Sequence, residues 1–144
     1  MLDTIDTRLN LFSPVKVGPY ELPDRIVMSP MTRSRAGEGN APTAAVSPQQ
    51  YLLNGTPVSA TRHLRSIFEG TLITAQGYTF ETGNKVLAAG VADLVGFGVL
   101  FLANPDLPAR FALGAPLNEP DPKTFYGGDE RGYTDYPALE LQTA

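Results

Sequence analysis

The sequence predicts an α/β fold built on short parallel strands. Apolar runs of strand length lie at residues 26–30, 71–76 and 93–98, and a helical pattern with Gly90 at its end joins the last two runs. Short apolar runs bounded by turn residues are typical of strands that are buried on both faces. A strand, a helix of about ten residues and a second strand form a βαβ unit, which predicts parallel strands and a right-handed crossover.

The first part of the chain predicts a hairpin and then the first buried strand. The hairpin arms are 15–17 and 20–22, separated by Gly18-Pro19, since short runs around a glycine-containing turn are typical of hairpins. The apolar residues 26–28 begin the first buried strand. The polar residues 32–43 predict a loop after it.

Two short helices are predicted next. Ser47-Pro48-Gln49-Gln50 has a capping serine, a proline suited to the first helical position and a glutamine that completes a capping box. Asn54-Gly55-Thr56-Pro57 predicts the end of this helix. A second helix is predicted from Thr61 as the cap to Gly70, with one apolar face that comprises Leu64, Ile67 and Phe68.

The last predicted helices follow the second and third strands. Residues 80–89 predict a helix with Val86 and Leu87 as its apolar positions. Asn104-Pro105 predicts the cap of a final helix that ends at Gly114, with Leu107, Phe111 and Leu113 facing inward. Residues 115–144 predict an irregular tail that needs another surface to pack on.

Composition limits the classes of function. The 144 residues allow one domain at most, and 14 glycines and 13 prolines indicate many loops. A net charge of −4 without a basic stripe argues against nucleic-acid binding. With no cysteine, neither disulfides nor thiolate metal sites are expected. The first ten residues lack an apolar signal segment and no apolar run is long enough to span a bilayer, so we expect a cytoplasmic protein without membrane contacts.

Four stretches carry a resemblance to a known family: IVMSPMTRSRAGEGNAPT (26–43), GTLITAQGY (70–78), ADLVGFGVLFLANPDLPARF (92–111) and FYGGDERGYTDYP (125–137). They resemble the Old Yellow Enzyme family, FMN-dependent NAD(P)H oxidoreductases with a (β/α)8-barrel fold that reduce activated C=C bonds. The resemblance implies the first barrel strand, the last two strands and the C-terminal tail.

A complete barrel of this kind takes about 250 residues, so the resemblance implies a partial (β/α) TIM-barrel-like fold. We expect residues 1–144 to form a single incomplete barrel domain. Within it, 10–43 is the first-strand region and 64–139 holds the last two βα units and the tail. Residues 44–63 match neither region and are the expected junction of an internal deletion.

The resemblance implies a flavin site that begins after the first strand. Pro30 and Met31 would present backbone to the flavin ring, and Thr32 would hydrogen-bond a flavin carbonyl. Residue types alone leave a different interpretation open, since a polar loop with a turn-forming proline is common after any strand.

The resemblance also implies a phosphate cradle at the ends of the last two strands, formed by Gln76, Gly77, Gly98 and Val99. Late βα loops of such barrels often bind phosphate through backbone N–H groups. The glycines alone are equally consistent with tight βα turns. Two residues depart from the family pattern: Val99 replaces a phosphate-binding arginine, and Gln76 replaces a small residue.

Tyr126 would lie near the flavin and the substrate, although packing of an apolar tail explains it equally well. The family's substrate-binding histidine pair and tyrosine proton donor have no counterpart. His63 has Ser66 and Phe68 at the relevant offsets, and we interpret it as a helix-surface residue. No catalytic residue and no metal ligand is therefore assigned.

Three functional hypotheses follow. The first is a flavin oxidoreductase by descent, with a weakened FMN site, NAD(P)H as the reductant and weak or no activity alone. The second is a non-catalytic module that forms homo-oligomers or docks on a full-length relative. The third is a deletion fragment without a stable fold, which a cooperative thermal transition would exclude.

Overall fold

In the computed structural model, residues 9–29, 50–53, 56–126 and 130–140 are described. The chain divides into two compact units. The first comprises Met1–Met28 and Val46–Phe97, and the second comprises Ser29–Ala45 and Gly98–Ala144. Each unit is described by itself below.

The first unit opens with the predicted hairpin. Strands β1 (Val15–Val17) and β2 (Tyr20–Leu22) pair antiparallel, with Val17 opposite Tyr20. Gly18 between them has a φ of 57°, a left-handed conformation that glycine adopts without strain. The turn is thus explained by its sequence.

A three-stranded parallel sheet forms the centre of this unit. Strand β3 (Ile26–Met28) pairs with β7 (Leu94–Phe97), and β7 also pairs with β6 (Ile73–Ala75), so the order is β3-β7-β6. Both pairings are parallel, as predicted. All of β7 is buried, which suits the middle strand of a parallel sheet. Among the described residues the sheet has two open edges and does not close into a barrel.

The predicted βαβ unit is confirmed. Helix α2 (Phe80–Ala88) joins β6 to β7. Thr79 caps it in a capping box with Thr82, which satisfies amide groups of the first turn. Gly90, with a φ of 64°, follows the helix as predicted. The core of this unit contains Leu11, Leu87, Leu94 and Val95, each at most 2% exposed.

The predicted helix at residues 47–53 is wrong where the structure describes it. Residues 50–53 are strand β4 (Gln50–Leu53), which pairs antiparallel with β5 (Thr56–Ser59). Residues 47–49 lie outside the described part of the chain. Asn54-Gly55 is a sequence that favours a tight hairpin turn, and the pairing of β4 with β5 outweighs the capping signal.

The second predicted helix is shorter than expected. Helix α1 (Ala60–Arg65) begins before Thr61, whose buried hydroxyl lies 2.7 Å from that of Thr74 instead of capping the helix. The expected apolar face is wrong, because Ile67 is 70% exposed and lies beyond the helix. Arg65 bonds the carboxylate of Asp93 at 2.5 Å, and this bond anchors the helix end where the chain turns away.

The second unit begins with two short helices. Helix α3 (Val99–Ala103), which the sequence did not predict, ends at Asn104, so the predicted role of Asn104 as the cap of the next helix is wrong. Helix α4 (Leu107–Leu113) has Asp106 at its N-cap. Instead, the side-chain oxygen Oδ1 of Asn104 accepts a hydrogen bond from the backbone amide of Asn118 at 2.7 Å. This side chain is therefore not available to cap α4.

The other predictions for α4 have mixed outcomes. Leu107 and Phe111 are buried as predicted, whereas Leu113 is 64% exposed and the prediction for it is wrong. Gly114 ends the helix with a φ of 61°. Leu113 precedes this left-handed residue, where the chain leaves the helix.

The described parts of the tail, 115–126 and 130–140, are irregular except for a 3-10 turn at Pro122–Thr124. The tail is hydrogen-bonded to Arg110 of α4, and the expectation that it needs another surface to pack on stays a prediction. Among the described residues, no helix has the length and apolar character needed to cross a membrane.

Candidate functional site

The turn after β6 has an unusual backbone at the predicted phosphate cradle. Gln76 has a φ of 85° and Gly77 a φ of 73°. Left-handed backbone is natural for glycine but costs a residue with a β carbon roughly 1–2 kcal/mol. A small residue without a β carbon would therefore fit position 76 better. The replacement of a small residue by Gln76, which the sequence indicated, therefore carries a cost in backbone strain.

Three hydroxyl groups form a hydrogen-bonded chain next to this turn. The Oγ1 atom of Thr74 lies 2.7 Å from Oγ1 of Thr61 and 3.0 Å from the hydroxyl of Tyr78. Thr74 and Thr61 are 3% and 7% exposed. Because both buried hydroxyls are paired, they fix the strand end without a desolvation penalty.

The other two predicted cradle residues lie in the second unit. Gly98 is the N-cap of α3, and Val99 is its first residue and 40% exposed. Gln76 and Gly77 belong to the first unit. The four predicted cradle residues are thus divided between the two units, two in each.

These residues fit a bound phosphate only in part. The glycines permit close approach of backbone N–H groups to an anion. None of Gln76, Gly77, Gly98 or Val99 carries a positive charge. A bidentate arginine contact is worth about 1.5–3 kcal/mol, and position 99 cannot provide it. FMN would therefore depend on backbone contacts here.

The remaining predicted residues are divided between described and undescribed parts of the chain. Tyr126 is 68% exposed and follows the 3-10 turn. Pro30, Met31 and Thr32 lie outside the described residues. The assignment of all eight residues to a flavin site stays a prediction. His63 is exposed on α1, as the helix-surface interpretation expects.

A cavity of about 160 Å³ lies in the tail of the second unit. Asp121 and Asp135 contribute carboxylates to its walls, Arg131 a guanidinium and Tyr136 a phenol, and Thr124 and Gly132 complete the lining. None of the predicted cofactor residues lines this cavity. Within the described residues, no group of three or more histidine, aspartate or glutamate side chains could hold a metal ion.

Sequence reasoning missed a buried polar cluster around Arg110, which is 5% exposed. Its Nε donates to Asp106 at 2.7 Å, and its two terminal nitrogens donate to the carbonyls of Pro116 at 2.5 Å and Pro137 at 2.7 Å. Asp106 in turn accepts from the amide of Leu139 at 2.6 Å. The i,i+4 spacing of Asp106 and Arg110 was the available signal.

The ionised form of Asp106 is favoured by this cluster. Burial alone would raise the pKa of Asp106, but hydrogen bonds from Arg110, from the amide of Leu139 and from its own amide together lower the pKa below its ordinary value of 3.8. Hydrogen bonds to a carboxylate stabilise its charged form. Asp106 therefore stays a charged partner of Arg110 at neutral pH.

The sequence and the fold of this chain were compared with those of known proteins. No known family model matches the chain. The chain is 55% identical over 98 residues to 12-oxophytodienoate reductase 1 of Oryza sativa subsp. japonica, an alignment that covers 66% of this chain and 26% of that protein. A solved structure, the old yellow enzyme from Trypanosoma cruzi, is 38% identical and covers 59% of this chain with a TM-score of 0.55.

Over this part, the chain is similar in sequence and fold to members of the Old Yellow Enzyme family. A structure of morphinone reductase in complex with tetrahydroNAD is similar as well, with 54% identity, 56% of this chain covered and a TM-score of 0.53. The chain matches only 22% of each of these two solved chains. The similarity thus extends over about a quarter of the length of these relatives.

Proposed function

We propose that this chain is a flavin-binding member of the Old Yellow Enzyme family with a weakened FMN site and weak or no ene-reductase activity alone. The observation that carries the proposal is the 55% identity to a 12-oxophytodienoate reductase. The tetrahydroNAD complex of morphinone reductase supports a nicotinamide nucleotide as the reductant.

The described residues suggest how such a site would work. The glycines at positions 77 and 98 would let backbone N–H groups contact the FMN phosphate, and Tyr126 would face the flavin ring. Bound FMN would supply hydride transfer from NAD(P)H, whereas the protein would supply orientation. A proton donor and substrate ligands have no assigned residues, which is why the proposed C=C reduction is weak.

A visible spectrum of the purified chain tests this proposal directly. We expect a weak flavin band, or its appearance when FMN is added, together with quenching of flavin fluorescence. Anaerobic NADPH or NADH should then bleach the bound flavin slowly. A colourless protein that leaves the fluorescence of added FMN unchanged would overturn the proposal.

Self-association is a second candidate function. Strands β3 and β6 are the two edges of the parallel sheet, and Met28 and Ile73 on these strands are 54% and 52% exposed. Parallel sheets are normally covered and open strand edges pair readily with other chains. A second copy, or a full-length relative, would cover this surface.

Light scattering across a concentration series separates the two candidates. We expect the apparent mass to rise with concentration, and Ile73→Lys to oppose the rise because it places a charge on the edge strand. A monomer at every concentration, alone or mixed with a full-length relative, would exclude this second function. A cooperative melt would exclude the unfolded-fragment hypothesis.

A further inference from the structure

The parallel sheet of the first unit ends in two open edges that complement each other. Strands β3 and β6 lie on opposite sides of β7, and both run parallel to it. The two outer edges therefore belong to strands that point in the same direction. The other described strands pair in two separate sheets, β1-β2 and β4-β5, so within the described residues no strand covers either edge.

Neither edge strand carries the charges or prolines that protect many open edges. Strand β3 consists of Ile-Val-Met and β6 of Ile-Thr-Ala. Met28 and Ile73, one on each strand, are about half exposed. The outer N–H and C=O groups of such strands need partners, and another chain can supply them by adding a strand.

Helices cover one face of this sheet. The hydroxyl of Thr74 on β6 lies 2.7 Å from that of Thr61 on α1. A β carbon built on Gly83 of α2 would touch the ring of Phe97 on β7. Thr74 and Phe97 lie on the same face, because paired residues share a face and side chains alternate along each strand. Helices α1 and α2 thus pack on this face.

The other face of the sheet has small residues at its middle level. Val27, Gly96 and Ala75 stand opposite one another in the register, on the face away from Thr74 and Phe97. The interior of a closed sheet narrows as the number of strands falls, and about eight strands leave just enough room for ordinary side chains. Small residues at this level therefore suit the interior of a narrower ring.

We propose that two copies of this chain join with β3 of each copy against β6 of the other, so that their two three-stranded sheets close into one parallel ring. The inference rests on the self-association proposed above and names its partner and the strands that meet. A junction between two copies of β3, or of β6, would leave two edges open, whereas the ring leaves none. Once one junction forms, the second becomes intramolecular, so two short junctions act together.

Single cysteines show which edges meet, because the chain has no cysteine of its own. Val27→Cys is mixed with Ala75→Cys on a chain that carries a tag of different size, and disulfide formation is followed on a gel. Disulfides need Cα atoms about 4.4–6.8 Å apart, and neighbouring strands provide this separation. At micromolar protein we expect the mixed dimer to form on the order of a hundredfold faster than a Val27→Cys dimer, because the assembly holds the two thiols at millimolar effective concentration.

Two further variants complete the comparison. Ile73→Cys replaces Ala75→Cys in a parallel mixture, which covers a register offset of two residues and a variant that fails to fold. Lys85→Cys is the matched control, since Lys85 is exposed on α2 and not on a strand, and it should react with Val27→Cys only at the slow background rate. A Val27→Cys dimer that forms as fast as the mixed dimer would show that β3 meets β3, and would overturn the ring.

Closure has its own readout. A double variant that joins Val27→Cys with the responding cysteine of β6 should give a covalent dimer and no larger product. A ladder of higher masses would indicate an open array and overturn the closure. If the mass in light scattering rises with concentration but neither mixture cross-links faster than the control, this inference fails and self-association stands. A monomer at every concentration would remove both.

Discussion

Arg110 and Asp106 form a largely buried ion pair one helical turn apart, with side chains 6% and 19% exposed and Nε of Arg110 2.7 Å from Oδ1 of Asp106. Each residue also holds the tail: Arg110 through the carbonyls of Pro116 and Pro137, and Asp106 through the amide of Leu139. Exposed pairs at this spacing contribute little to stability. Removal of one partner from a buried pair leaves an unpaired charge, which is far more costly. The pair therefore governs docking of the tail on α4.

This relationship makes docking of the tail sensitive to acid. The pKa of Asp106 is lower in the folded chain than its ordinary value of 3.8. A group of this kind stabilises the folded state above its unfolded pKa, and the contribution is lost as the pH falls through the folded pKa. We expect docking to be constant between neutral pH and about pH 5 and to weaken progressively as the pH falls from there through the folded pKa of Asp106.

The amide resonance of Leu139, followed by NMR in an acid titration, measures this loss. It should shift with a midpoint below 3.8, and Asp106→Asn should abolish that step. Glu81 is the control, because its pKa is also lowered, by the hydrogen bond from Lys85, but its titration should not move Leu139. A midpoint at or above 3.8 would contradict the cause assigned to Asp106.

The βαβ unit was predictable because its local signals agree. Thr79 caps α2, Gly90 ends it, and the flanking apolar runs have strand length. The hairpin β4-β5 was missed because two local signals conflict: Ser47 to Gln50 favours a helix start, and Asn54-Gly55 favours a hairpin turn. Pairing between strands decided the outcome, and single-residue preferences cannot report pairing.

The cluster around Arg110 was not predictable for a different reason. Its acceptors at Pro116 and Pro137 are backbone carbonyls, and every residue has one, so no pattern marks them. Asn104 was assigned to the wrong helix because an asparagine before proline suits a cap equally well whether or not its amide is already committed to Asn118. The cradle residues stay a prediction, and the sequence did not reveal the contacts that hold the tail.

Gln76→Gly should stabilise the chain. The left-handed backbone at Gln76, with a φ of 85°, costs a residue with a β carbon roughly 1–2 kcal/mol, of which the greater unfolded-state entropy of glycine offsets about half. We expect a net gain of about 0.5–1 kcal/mol in the free energy of unfolding, measured by urea denaturation. Gln76→Ala keeps the β carbon and should give no such gain. A loss of stability in Gln76→Gly would show that contacts of the glutamine side chain outweigh the strain.

Gly132→Ala and Gly90→Ala form a matched pair that separates packing from backbone strain. Both glycines are left-handed, with φ values of 65° and 64°. A β carbon at Gly90 meets nothing within 4 Å, whereas one at Gly132 overlaps Thr124. Gly90→Ala should cost about 0.5–1 kcal/mol of unfolding free energy after the smaller unfolded-state entropy of alanine is counted, and Gly132→Ala should in addition separate residues 118–126 from residues 130–137.

Hydrogen exchange of peptides spanning 115–140 reports that separation. It should accelerate in Gly132→Ala and stay unchanged in Gly90→Ala. A double variant, Gly132→Ala with Thr124→Gly, should recover part of the protection, because it removes the hydroxyl oxygen and β carbon of Thr124, the two atoms that the new β carbon would overlap most. Equal exchange in the two single variants would mean that residues 118–126 and 130–137 are not held together by close packing at Gly132 and Thr124.

Val99→Arg should strengthen FMN binding if the proposed phosphate cradle is real. Val99 is 40% exposed, so a longer side chain can extend into solvent without disturbing the core. A charge-assisted contact to phosphate is worth about 1.5–3 kcal/mol when well formed, and partial exposure reduces the expected gain to about tenfold in Kd. Fluorescence titration with riboflavin, which lacks the phosphate, is the decisive control for Val99→Arg. The gain in affinity should appear with FMN, shrink at high salt and vanish with riboflavin. An equal gain for both flavins would place the new arginine against the ring instead of the phosphate, and Val99→Met, which adds length without charge, should change neither affinity.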